Sequence, residues 1–88
     1  MSMREAYAGL RVLELAAVIA GPYAGMVLAD LGADVVKVEN PAGGDDARRM
    51  PPQERGQSTL FRSVNRNKRS LALDLKSTAG RDAVLRLA

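Results

Sequence analysis

The sequence predicts an α/β fold, the beginning of a doubly wound parallel sheet with three strands and flanking helices. Two observations carry this. Short strand-like runs alternate with stretches of helical periodicity in the order β-α-β-loop-β-α, and the connection between the first two strands is long enough to hold a crossover helix, which antiparallel neighbours would not need.

Leu10-Arg-Val-Leu-Glu-Leu15 reads as the first strand. Gly21-Pro22 punctuates its exit, and Pro22 suits the first helical position, where its missing N–H costs nothing. Ala24, Val27, Leu28 and Leu31 then recur at i, i+3, i+4 and i+7, predicting one apolar helical stripe, and Gly32 fits the C′ position that favours φ > 0. Ala33-Asp-Val-Val-Lys-Val-Glu39 is β-branched and mostly apolar, a second strand parallel to the first through a right-handed crossover.

From Pro41 to Gln57 the composition turns to Pro, Gly, Asp and Arg without periodicity, so 41–57 is expected to be a surface loop. Ser58 to Val64 can form one or two helical turns. Ser70-Leu-Ala-Leu-Asp-Leu75 alternates cleanly and predicts the third strand, with Leu71, Leu73 and Leu75 on one face. Ser77 is placed to cap a last helix from Thr78 onward, with Val84, Leu87 and Ala88 along one side. The three strands with their helices correspond to the opening of a Rossmann-like sheet. Residues 1–88 read as one segment of a larger α/β domain, because the last helix stops as its apolar face begins.

Composition narrows the chemistry. With no Cys and no His the chain has no disulfide, thiolate zinc site or imidazole base, so no metal site is expected within it. The first residues lack an apolar leader run, and Glu14, Pro22, Asp30 and Asp34 interrupt the longest apolar stretch. The expectation is therefore a cytoplasmic protein without a membrane partner. Residues 1–46 hold three basic and seven acidic groups, whereas 47–88 hold ten basic and three acidic, so the second half suits an anionic partner. Nucleic acid is disfavoured because no aromatic residue interleaves with the basic ones after Phe61, which leaves no stacking platform. A dinucleotide fingerprint also fails: with Gly21 as its second glycine, Ile19 would be the first and Ala24 the third. Asn65-Arg-Asn-Lys-Arg-Ser70 is either a charged turn feeding a strand or a set of donors at the ligand end of the sheet.

Three blocks together resemble the class III CoA-transferase family, whose relatives include formyl-CoA transferases and α-methylacyl-CoA racemases. They are Leu10 to Gly25 continuing through Leu28 to Glu39, Pro41-Ala-Gly-Gly-Asp45 with Ala47-Arg48, and Asn65 to Lys76 with Gly80-Arg81. The resemblance covers nearly the whole chain from Gly9 and implies coenzyme A as the bound acyl carrier. It implies that Val18 and Ile19 lie against the adenine end of CoA and that Leu73 and Lys76 flank that nucleotide. Asn40 stands where related chains can carry Arg, so a guanidinium over the base is missing there.

The resemblance further implies an amino-terminal fragment of a longer homodimeric, interlocked enzyme that moves CoA between an acyl-CoA and a small carboxylic acid through an aspartate nucleophile. No Asp of this chain matches that nucleophile, so the fragment itself is expected to be inactive. The alternatives are a racemase-type parent and a stand-alone nucleotide-binding module. The long Gly-Gly-Asp segment before Lys68-Arg69 favours the transferase branch.

Overall fold

A computed structural model describes residues 5–88; residues 1–4, which open the expected 1–88 segment, lie outside the described residues. Strand β1 (Arg11–Glu14) leads into helix α1 (Ala20–Asp30), which returns the chain to β2 (Asp34–Glu39). A 3-10 helix (Asp46–Arg49) and a small hairpin of β3 (Gln53–Glu54) and β4 (Gln57–Ser58) follow, then α2 (Thr59–Asn65), β5 (Lys68–Ala72) and α3 (Thr78–Leu87). The main sheet has the order β1-β2-β5, and both pairings are parallel. This is the predicted three-stranded parallel sheet. Among the described residues no helix is long and apolar enough to cross a membrane.

The third strand begins two residues earlier than its alternation suggests. Lys68 to Ala72 pair with Val35 to Glu39, and Leu73 extends the ladder by one bond from its N–H to the Glu39 carbonyl. The chain then turns: the Asp74 carboxylate accepts from Lys76 N, which takes Leu75 out of strand geometry. An Asp side chain that closes a local turn competes with the sheet for the backbone, and here it wins.

Helix α1 starts at Ala20, so Pro22 occupies its third position and not the first. All N–H groups of the first turn lack an intrahelical acceptor, so proline is tolerated there too. The helix ends as the sequence predicts. Gly32 has φ 104°, with Gly32 N bonded to Ala29 O at 3.0 Å and Ala33 N to Leu28 O at 3.0 Å, a Schellman termination. Ser58 and Ser77 cap α2 and α3, accepting from Phe61 N at 3.2 Å and Gly80 N at 3.0 Å.

The predicted stripe on α1 is not its buried face. Pro22, Gly25, Met26 and Ala29 are buried, while Ala24 and Val27 are exposed. The reason lies beneath the helix. In the observed register Val12, Glu14, Val35, Lys37, Lys68 and Ser70 share one face of the sheet, and only the Val12–Val35 end of it is apolar. There Ala29 and Ala33 pack on Val35 with Val12 and Leu28 around them. Further along, Glu14 and Lys68 rise toward α1, and only a residue without a side chain fits over them. A Cβ on Gly25 would lie 1.9 Å from Glu14 Oε1 and 3.3 Å from Lys68 Cε.

The opposite face of the sheet carries Leu13 and Val36, and the end of α3 lies across it. A cleft of about 490 Å³ lined by Arg11, Leu13, Asp34, Val36, Arg69 and Leu87 separates the two. Helices therefore occupy both faces, the layering of a doubly wound sheet.

Substituting Gly25 tests this packing. Alanine is the better helix former by up to ~1 kcal/mol, so in a helix packed on a flat apolar sheet Gly25→Ala would stabilise. Here the added methyl meets a carboxylate held in place by two lysines, and a net loss of about 1–3 kcal/mol is expected in denaturant unfolding. A raised midpoint would show that Glu14 is free to move aside.

Candidate functional site

The carboxyl-terminal ends of parallel strands are where open α/β sheets place ligands, because the loops there diverge and leave a crevice. In this chain three segments meet at that edge: 15–19 after β1, 40–46 after β2, and 73–77 after β5. Their geometry is set by ion pairs at the end of the covered face of the sheet.

Lys37, in the middle of the central strand, is 1% exposed. Its Nζ lies 2.9 Å from Glu14 Oε2 and 2.9 Å from Asp45 Oδ2, and it donates to Ala16 O at 3.3 Å. Lys68, on β5, approaches the other oxygen of Glu14 at 2.7 Å and donates to Pro22 O and Asn65 Oδ1, each at 2.8 Å. The Lys68–Glu14 contact is a buried ion pair at hydrogen-bonding distance. Burial lowers the Lys68 pKa, opposed by Glu14.

Glu39 closes β2 and grips Arg48 through two bonds, Nε to Oε1 and Nη2 to Oε2, both 2.7 Å. It also accepts from Asp45 N at 2.9 Å and from the Ser70 hydroxyl. The Arg48 guanidinium lies 4.0 Å from the centre of the Phe61 ring, a cation–π contact that ties α2 to the 3-10 helix. Glu14, Glu39 and Asp45 thus balance Lys37, Lys68 and Arg48 one for one.

Asp45 joins this network to the loop after β1. Its carboxylate accepts from Ala47 N at 2.9 Å, capping the 3-10 helix, and from Val18 N at 3.1 and 3.3 Å. Burial opposes its ionisation, but the Lys37 ammonium and these two N–H groups outweigh burial and hold its pKa below the usual value. Val18 itself has φ 73°. A left-handed conformation costs an L-residue roughly 1–2 kcal/mol, and a β-branched one adopts it rarely.

All five residues singled out in the sequence stand at this edge. Asn40, Leu73 and Lys76 line one cleft of about 420 Å³ together with Pro41, Ala42, Asp74 and Leu75. Val18 and Ile19 do not line it; they leave β1, on the other side of β2 from β5. Ile19 is 49% exposed and precedes the first residue of α1.

The basic block Asn65 to Ser70, whose last three residues open β5, is not at this edge. It sits at the opposite end of the sheet and is consumed internally. Arg66 and Asn67 hold Asp30 at the end of α1, Arg69 pairs with Asp34 at the start of β2, and Lys68 is buried. Its charged-turn reading is therefore the correct one. Sequence reasoning missed Lys37, Glu39, Asp45 and Arg48 as a unit. The available signal was the presence of two full charges within the otherwise β-branched run Val35 to Glu39.

The sequence profile of CoA-transferase family III matches residues 7–88. The chain belongs to that family. It is 50% identical over 86 residues to the succinate-glutarate CoA-transferase of Agrobacterium fabrum, a match that spans 90% of this chain and 22% of that protein. It is 55% identical over 83 residues to the succinyl-CoA:mesaconate CoA-transferase of Haloarcula hispanica, spanning 89% of this chain and 21% of that protein. The fold is also that of the crystal structure of a CAIB/BAIF family protein from Brucella suis, with a TM-score of 0.83 and 46% identity over 91% of this chain and 22% of that one. The chain thus spans about a fifth of the length of the relatives it matches.

The Glu39 environment yields a pH dependence with a definite sign. The Arg48 hydrogen bond, opposed by burial and aided by Asp45 N and Ser70, lowers the Glu39 pKa from 4.5 to about 2. A carboxylate more acidic when folded adds stability that is complete above its unfolded pKa and disappears as pH falls through the folded one. Wild type is thus expected to exceed Glu39→Gln in unfolding free energy near neutrality by on the order of 3 kcal/mol. The difference should shrink between pH 4.5 and 2. A constant difference across that window would mean that Glu39 contributes through packing and not charge.

Proposed function

We propose that this chain forms the CoA-docking corner of an enzyme that transfers coenzyme A between an acyl-CoA and a small carboxylic acid. The observation that carries the proposal is the cleft in which Asn40, Leu73 and Lys76 converge, at the ligand edge of a family III sheet. Leu73 offers apolar contact to the face of the adenine. The Lys76 ammonium meets a ribose or phosphate oxygen, and the Asn40 amide takes the place of a guanidinium over the base. Val18 and Ile19, presented by the neighbouring loop, approach the nucleotide from the β1 side.

In this reading the chemical step belongs to residues outside these 88. The chain has no His. Its described Asp residues are mostly committed: Asp30 and Asp34 to Arg66 and Arg69, Asp46 to Arg49, Asp74 to a turn and Asp45 to Lys37. A carboxylate attacks a thioester only when binding energy holds the two together and dipoles stabilise the oxyanion. This segment supplies the first of those requirements. The relatives, named for transfer from succinyl-CoA to mesaconate or between succinate and glutarate, favour transfer over α-carbon racemisation and point to dicarboxylic acids as acceptors. The family resemblance further implies an interlocked homodimer for the full-length protein.

The test has two parts. In the full-length protein Leu73→Asp is expected to weaken CoA binding by roughly 1–3 kcal/mol, because it sets a carboxylate beside an anionic nucleotide. Equal affinities by calorimetry would remove Leu73 from the site. Incubation with an acyl-CoA and isotopically labelled dicarboxylic acids should carry the label into thioester, read by mass spectrometry. If the acids stay untouched while the α-proton of a 2-methylacyl-CoA exchanges with deuterated water, the protein is a racemase.

A further inference from the structure

We infer that Asp45 is a positioning residue for CoA: its buried carboxylate holds the Val18–Ile19 loop in the one conformation that can receive the nucleotide. The inference deepens the docking function proposed above and rests on it. Asp45 itself touches no part of the cleft lined by Asn40, Leu73 and Lys76 and lies 1% exposed at its side chain, beneath the loops.

Three features lead to this assignment. The first is that Val18 sits at φ 73°, a region that β-branched residues leave when nothing restrains them. The second is that both carboxylate oxygens of Asp45 lie within 3.1 to 3.3 Å of Val18 N, the direct restraint on that residue given by the structure. The third is that Asp45 cannot relax. Lys37 holds its Oδ2 at 2.9 Å, Ala47 N binds Oδ1 at 2.9 Å, and its own N–H is fixed by Glu39. A strained loop residue bonded to an over-determined anchor is the pattern expected where a backbone conformation is imposed for function and would not persist by itself.

The consequence propagates in one direction. Val18 is followed by Ile19 and then by the first turn of α1, whose opening bond runs from Tyr23 N to Ile19 O at 2.7 Å. Releasing Val18 to extended geometry would turn the Ile19 side chain from its place at the edge while α1 stays anchored further along by Ala29 packed on Val35. The loss falls on CoA capture and not on the later chemical step. The charge of Asp45 serves Lys37, and its oxygen position serves Val18, so the two roles separate on substitution. Asn keeps an acceptor for Val18 N, whereas Ala keeps neither.

The experiment uses the full-length protein and CoA itself as the probe. Asp45→Ala is expected to raise the KM for acyl-CoA and the Kd for CoA about tenfold, equivalent to ~1.4 kcal/mol, with kcat at saturation nearly unchanged. Asp45→Asn should recover only part of that affinity, because its amide oxygen still accepts from Val18 N while its NH2 faces the Lys37 ammonium. Val18→Gly supplies the decisive comparison, because glycine takes φ > 0 without restraint. In its presence the further change Asp45→Ala should cost much less CoA affinity than in wild type, a coupling that a purely structural role of Asp45 would not produce. A full, uncoupled penalty overturns the inference, as does a fall in kcat at constant KM. Should Asp45→Ala not fold, hydrogen exchange at the Val18 amide of wild type decides: protection is expected, and exchange at the rate of a free loop refutes the assignment. Failure of wild type to bind CoA at all would instead strike the docking function, leaving the Val18 exchange result to stand separately.

Discussion

The ammonium of Lys37 is the centre on which the arrangement of this segment depends. It sits in the middle of the central strand, where both neighbours are strands and no water reaches it, and it is compensated by Glu14 from one side and Asp45 from the loop above. Removing one partner from a buried pair costs roughly 3–5 kcal/mol, while replacing the whole set by apolar side chains of equal volume is often neutral. The network is therefore a poor way to gain stability and an effective way to select geometry. Alternative positions for the Asp45 loop leave an uncompensated charge inside the sheet.

Much of the local architecture follows from that charge. Glu14 must reach both Lys37 and Lys68, which brings its carboxylate up under α1 and permits only glycine at position 25. The helix consequently buries Pro22, Gly25, Met26 and Ala29 and exposes Tyr23 and Val27, contrary to what hydrophobicity alone directs. Glu39 then carries the network outward to Arg48, and Arg48 reaches Phe61, so the 41–57 segment is pinned although it has little regular structure. Its Pro-Gly composition hides two buried anchors, Asp45 and Ala47.

Parallel pairing brings the starting points of the three carboxyl-terminal loops to one edge, and the ion network ties the loop after β1 to the loop after β2. A ligand that meets loops tied in this way loses less binding energy to their ordering. Six of the ten basic residues in the second half of the chain pair with carboxylates of the segment itself, Arg66 and Arg69 with Asp30 and Asp34 at the far end of the sheet.

Local and periodic information was enough for the elements themselves. The strands, the Gly32 termination, and the Ser58 and Ser77 starts of the two later helices are decided within a few residues of chain, by β-branching, a φ that only glycine takes easily, and a hydroxyl within reach of an N–H. The resemblance of the blocks singled out Asn40, Leu73 and Lys76, but Leu73, expected inside the third strand, lies just past its end. What the sequence could not disclose is register. Glu14, Lys37 and Lys68 are separated by 23 and 31 residues, and only the pairing of Glu14 with Lys37 across β1 and β2, and of Lys68 with Val35 across β2 and β5, brings them to one face. Tertiary structure alone decided that these charges meet, which face of α1 must be small, and that Asp45 holds Val18, because electrostatic energy depends on distance in space and the chain records only distance along itself.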